Sequence, residues 1–333
     1  MRYKARRTRR QFLQHAGAMA AAAAWPLPRL WAQQPETEPA RVRVVIARDE
    51  ALAKGKPSEH RELLEKLLHA AVQKLTGAPD AASAWRALFR PTERVGIKVN
   101  TLGLHVHPEV ADAIVSGLRL AGVPAENIII WDRFDTELAK AGFKLNHTGT
   151  GVQCRGTDRE RIGRGYQETL ETSGRIGSCY SRILAEEVDA LISVPVLKDH
   201  GLAGVSLGMK NFYGAIHNPN KYHENNCDPF IVDVVAHRFI APKWRLTVCD
   251  GIRGQCQGGP GVQPAYQWPF AGLIVGRDFV ATDAVGADII EAQRREKGLP
   301  PLADAKRPPR YIQTAGARGL GESDLSRIER VEV

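Results

Sequence analysis

Apolar and polar positions change period several times along the chain, and each change marks an element. Val42 to Ala47 is a β-branched apolar run and predicts a strand. Over residues 58–75, Leu63, Leu64, Leu67, Leu68, Ala71 and Val72 recur at three- and four-residue spacing, which predicts a helix with one buried face. A second short helix is predicted near 81–89, a strand over 94–100, a helix over 108–121 and a strand over 127–131 with three consecutive isoleucines. Residues 143–178 break the rhythm with glycine and charge and are expected to form a long loop or a small β insertion. Order returns with predicted helices near 181–188, 205–215, 229–239, 279–296 and 308–316, and strands at 190–196, 245–249 and 272–275. Strands alternating with helices predict an α/β fold. The sheet is expected to be mainly parallel, covered by helices and Rossmann-like, either as one body over 41–333 or as two lobes, 41–140 and 180–333.

The first 40 residues follow a different logic. Residues 1–10 are basic, Ala16 to Trp25 is apolar and rich in alanine, and Pro26, Pro28 and Leu30-Trp31-Ala32 follow. This is the three-part layout of a secretory signal. The apolar part is shorter than the roughly 20 residues of a membrane-spanning helix, so no stable membrane anchor is expected. Thr8-Arg9-Arg10-Gln11-Phe12-Leu13 resembles the twin-arginine export motif. The resemblance implies the twin-arginine translocation machinery as a partner, a signal peptide over 1–32 cleaved near Ala32, a linker over 33–40, and a mature protein in the periplasm or outside the cell. That route carries folded proteins, often with a cofactor already in place.

Charge then changes its meaning. The formal net charge is +9, yet residues 1–32 hold seven basic side chains and no acidic ones; the rest has 39 basic against 37 acidic residues. A nearly neutral body with only 7% aromatic residues lacks both the field and the stacking platform that nucleic acid requires. The five cysteines, Cys154, Cys179, Cys227, Cys249 and Cys256, include no CxxC pair, so no iron–sulfur motif is present. Cys249 ends an apolar strand and reads as a core thiol. In an oxidising compartment one or two disulfides are expected among the five.

Chemistry-bearing residues concentrate between 196 and 233, beginning at the end of an apolar strand. They include Lys198, Asp199, His200, Ser206, Gly208, Lys210, Asn211, His217, His223 and Cys227. In open parallel sheets ligands bind outside the carboxyl ends of the strands. Glycines there let backbone N–H groups approach an anion, and a helix start adds favourable potential. A second group, Lys98 and Asn100 followed by His105 and His107, occupies the equivalent place in the first half, and Asp132 and Asp250 also sit at strand ends. The expected catalytic residues are His200, Lys210, His223 and Lys98. The expected substrate-binding residues are Asn100, Lys198, Gly208, Asn211 and Asp250. A metal ion, if used, is expected on His200, His217, His223 and Cys227.

Together, Val95-Gly96-Ile97-Lys98-Val99-Asn100, Ile192 through His200, Gly208-Met209-Lys210-Asn211-Phe212-Tyr213-Gly214, Cys249-Asp250-Gly251 and Asp278 through Asp283 resemble the DUF362 family over roughly residues 90–325. That family brings no established activity. Some members carry a ferredoxin module that this chain lacks. Within the same stretch, His200, Gly204, Ser206, Gly208 and Lys210 are locally similar to a segment of nickel-pincer lactate racemases, with Leu207 and Met209 departing from the pattern. This similarity implies a pincer-type adduct on Lys210. The sequence therefore suggests an exported cofactor- or metal-dependent enzyme for a small anionic substrate, of isomerase or racemase type. The alternatives are a metal-binding redox protein and a non-catalytic periplasmic binding protein.

Overall fold

In the strand Ile128–Phe134, Ile128 and Ile130 join one apolar cluster while Ile129 and Trp131 join another. A strand that buries both faces belongs inside a sheet covered on both sides. The computed structural model describes residues 41–158 and 165–333; the signal-like segment 1–32 and the linker 33–40 lie outside the described residues.

The strands are β1 (Val42–Arg48), β2 (Val95–Val99), β3 (Ile128–Phe134), β4 (Gln153–Asp158), β5 (Glu171–Ser173), β6 (Ile176–Ser178), β7 (Ala190–Val194), β8 (Val196–His200), β9 (Gly204–Val205), β10 (Trp244–Gln255), β11 (Gln267–Trp268), β12 (Gly272–Gly276) and β13 (Ile328–Glu332). The main sheet runs in the order β13-β1-β12-β10-β7-β2-β3-β4, and β5 pairs with β6 apart from it. Along this path β12 is antiparallel to both neighbours, and every other adjacent pair is parallel. The expected α/β fold with a mainly parallel sheet is therefore the one adopted. Arg41–Val333 group as one compact unit, and the halves 41–140 and 180–333 share the sheet.

Chain order within the sheet locates the site. From β2 the chain steps outward to β3 and β4, then returns to lay β7 on the other side of β2 and β10 beyond it. The order reverses between β2 and β7, and a crevice opens where strand order reverses.

Helices Arg61–Thr76 and Pro108–Leu120 cover one face with Trp85 buried among them, while Phe279–Glu296 and Arg310–Ala317 lie on the other. Asp278 caps the long helix by accepting from the N–H groups of Val280 and Ala281.

Several expected elements take other forms. The segment 143–178 contributes β4 to the sheet edge and a separate hairpin, β5–β6. The helix expected near 181–188 is a π-type turn, Ile183–Glu187. The one near 205–215 shrinks to Gly208–Asn211 followed by a 3₁₀ turn, because the preceding glycine-rich stretch is spent on the β8–β9 hairpin. The one near 229–239 is confined to Phe230–Val235. No disulfide forms among the described residues, and all five thiols are free. Four of them are buried and serve as small core residues.

Gly117 lets Trp85 pack directly on its helix, and an added Cβ would overlap the indole. Gly117→Ala is expected to destabilise the fold by about 1–3 kcal/mol through overpacking, read as a lower midpoint in urea unfolding followed by tryptophan fluorescence.

Candidate functional site

Pro195 separates β7 from β8. Proline cannot donate to a strand ladder, so the apolar run expected over 190–196 breaks there and β8 leaves on its own course, carrying Lys198, Asp199 and His200. The register of β10 shifts to follow it, pairing Asp250 with Val196 and Gln255 with Lys198. Arg307 pins β8: its Nη1 donates to Asp199 Oδ2 at 2.7 Å and to the His200 carbonyl at 2.8 Å.

A cavity of about 370 Å³ lies at the ends of β2, β3 and β8, within the usual range for small-molecule sites. It is lined by Lys98, Asn100, Lys198, His200, Lys210, Asn211 and His223 among the expected residues, and also by Asp132, Arg133, Glu137, Ser206 and Tyr213. Sequence elements about 100 residues apart thus converge on one space.

The lysines fill different roles. Lys98 Nζ donates to Asp132 Oδ1 at 2.6 Å, to the Val99 carbonyl at 2.8 Å and to Asn211 Oδ1 at 3.2 Å. Asp132 is satisfied in turn, its Oδ2 accepting from the Thr101 N–H and hydroxyl. Lys198 Nζ donates to Asn100 Oδ1 at 2.8 Å and to the carbonyls of Leu102 and Leu104, each at 2.6 Å. Burial, with the charge of Lys210 acting against the pull of Asp132, brings Lys198 down to about 7. Lys98 and Lys198 therefore build the walls rather than reach for substrate, and Asn100 and Asn211 are their acceptors. Gly214 keeps this floor open: a Cβ there would stand 2.9 Å from both Lys98 Nζ and Asp132 Oδ1.

Lys210 is the exception. Its Nζ lies 3.1 Å from His223 Nε2 and 3.9 Å from the Tyr213 ring centroid. Burial lowers it to about 8. His223 Nδ1 donates to the Pro219 carbonyl at 3.1 Å, which leaves Nε2 as the acceptor facing Lys210. Burial and the Lys210 charge both lower the His223 pKa.

His200 stacks on His223 with ring centroids 5.8 Å apart. Its Nδ1 accepts from the N–H groups of Leu202 and Ala203, both at 3.1 Å. Two amides on Nδ1 fix the tautomer, so Nε2 carries the proton. Burial, then Lys210 and His223, push His200 down to about 2, so it is a neutral hydrogen-bond donor and not a base.

Other expectations fail on placement. The Gly208 N–H donates to Asp283 Oδ1 at 2.7 Å and that of Met209 to Asp283 Oδ2 at 3.1 Å, so a side-chain carboxylate occupies the helix start expected to take substrate. Asp250 holds His107 instead of lining the cavity, accepting from its N–H and Nδ1 at 2.8 Å each. Burial opposes charge on that imidazole, but the Asp250 carboxylate prevails and the His107 pKa is raised. His217 packs edge-on to Tyr166, away from the cavity lining. Burial raises the Cys227 thiol, whose Sγ is 3.9 Å from the His223 carbonyl oxygen. The donor set His200, His217, His223 and Cys227 does not assemble, and among the described residues no group of three or more His, Cys, Asp or Glu side chains is arranged for a metal ion.

Arg133 and Glu137 were missed, although Arg133 follows a strand-end aspartate and the rule that selected Asp132 reaches it too. Arg307 had no sequence signal, because its link to Asp199 spans more than 100 residues.

Residues 95–288 match the model of a domain of unknown function, DUF362. None of the curated proteins matches the chain.

Lys98 and Asp132 are both buried, and truncating one partner strands the other. Asp132→Ala is expected to cost about 3–5 kcal/mol in urea unfolding, whereas the paired change Lys98→Met with Asp132→Leu recovers most of that loss.

Proposed function

The chain belongs to the DUF362 family, and we propose that it is an exported enzyme performing acid–base chemistry of isomerase or racemase type on a small carboxylate. The observation that carries this reading is the Lys210–His223 contact at 3.1 Å beside the donor face of His200 in one cavity. Lysine is an effective base only when its ammonium is destabilised, and burial does this at Lys210.

In the proposed step, neutral Lys210 removes a proton from the carbon next to the carboxylate. The C–H bond breaks, an Nζ–H bond forms, and the electron pair moves into the carboxyl group. The Nε2–H of His200 donates to the carboxyl oxygen as its charge grows, with Ser206 alongside. His223 Nε2 holds Lys210 in position and accepts from it. Nζ–H returns the proton to the carbon, which closes the cycle without an oxidant; inversion follows when the planar intermediate turns its other face to Nζ before the proton returns.

The test is exchange of the α-hydrogen in deuterated buffer, followed by proton NMR over a panel of small hydroxy and dicarboxylic acids. Lys210→Met is expected to slow exchange by about 10²–10⁴-fold. Since the neutral amine is the base, the wild-type rate should rise with pH and level off above about 8. Full exchange in Lys210→Met, or a rate that falls through that range, would sink the reading. Intact mass of the mature chain separates it from an enzyme with a pincer-type adduct on Lys210, which would add mass at that residue.

Export through the twin-arginine route is part of the same proposal, supported by Arg9-Arg10 and the apolar segment behind them. Replacing both arginines with lysine should move the protein from the periplasmic to the cytoplasmic fraction. Unchanged fractionation would assign it to another route.

A further inference from the structure

The N–H groups around the cavity are not equally free. An ammonium has three; Lys98 spends its three on Asp132, Val99 and Asn211, and Lys198 spends its three on Asn100, Leu102 and Leu104. Among the lysine, arginine and histidine side chains that line the cavity, donors left for a ligand stand in two places. One is the Lys210–His200 end, where Lys210 Nζ has His223 as its hydrogen-bond partner. The other is Arg133, at the end of β3.

A guanidinium has five N–H groups. In Arg133 the structure pairs one, Nη2 with the His217 carbonyl at 3.3 Å, and Nε is buried with no partner. Phe134 lies under the guanidinium, 4.8 Å from Cζ to the ring centroid. Arg133 also faces the buried Tyr166, where its charge and a side-chain hydrogen bond oppose the rise that burial gives the hydroxyl's pKa. Glu137 lines the cavity as well, where burial and Asp132 raise its pKa and the charges of Lys98 and Arg133 oppose the rise. Gly214 and the Lys98–Asp132 pair form the floor between the two ends.

Resting on the acid–base reading above, we propose that the substrate is a small dicarboxylate. One carboxylate lies at Lys210 and His200, next to the carbon that reacts, and the second is anchored by Arg133. A forked guanidinium matches a carboxylate with two parallel N–H···O bonds. One arginine beside the acidic Glu137 suits a singly charged group better than a doubly charged phosphate.

The test is calorimetric titration of the mature protein with succinate, butyrate and 4-aminobutyrate, which share a four-carbon chain. Succinate is expected to bind at least about tenfold more tightly than butyrate, the difference made by charge-assisted hydrogen bonds to one group. Arg133→Ala and Arg133→Gln should each erase that preference while leaving butyrate affinity within about twofold; their ligand-free melting temperatures report whether they fold. Butyrate binding as tightly as succinate, or a preference that survives both variants, overturns the proposal and leaves the acid–base reading standing. Tighter binding of 4-aminobutyrate, whose terminal ammonium replaces the second carboxylate, would make Glu137 the selecting group and also overturn it. Binding of none of the three removes this proposal together with the anion reading. A succinate preference alongside full exchange in Lys210→Met removes the acid–base reading alone.

Discussion

Three lysine amino groups are buried around one cavity, and most of the local structure answers the cost of placing them there. A buried cation without acceptors is far more expensive than an exposed one. Asp132, the Asn100 and Asn211 side chains and the Leu102 and Leu104 carbonyls supply the acceptors for Lys98 and Lys198. The loop after β2 thus takes its path from where Lys198 needs oxygen. Lys210 has fewer partners, and that shortage separates a reactive amine from two structural ones.

Histidines and carboxylates are sorted by the same logic. His200 and His223 differ in which nitrogen is committed. Amides bind Nδ1 of His200 as an acceptor, while a carbonyl binds Nδ1 of His223 as a donor. Two neighbouring imidazoles therefore present opposite faces to the cavity, one giving a proton and one offering a lone pair. Asp283 is spent on closing the start of a one-turn helix, and burial raises it to about 7.

The main outline was legible because it depends on local period. The strands at 42–47, 94–100 and 127–131 and the helices at 58–75, 108–121 and 279–296 match their elements within a few residues, since each needs only its own apolar face. The rule that ligands sit at strand ends also found Lys98, His200, Lys210 and His223. Division of labour among them was not legible. Whether Lys198 grips a loop or a ligand depends on where the Leu102 and Leu104 carbonyls point, and whether Gly208 faces an anion depends on Asp283, 75 residues away. His217 and Cys227 satisfied a donor count, but tertiary packing placed them apart. Pro195 was visible in the sequence; its effect was not, because breaking a ladder matters only once the neighbouring strand is known.

The two amides on His200 give the cavity a direction of proton traffic. An imidazole with one nitrogen occupied by backbone can lend its hydrogen to an oxygen, but it cannot take one in on one side and release it on the other. No relay passes through β8. His223, with Nδ1 given to the Pro219 carbonyl, is closed in the same way and can only hold on Nε2 a proton that Lys210 delivers, so protons reach and leave Lys210 directly rather than through either imidazole.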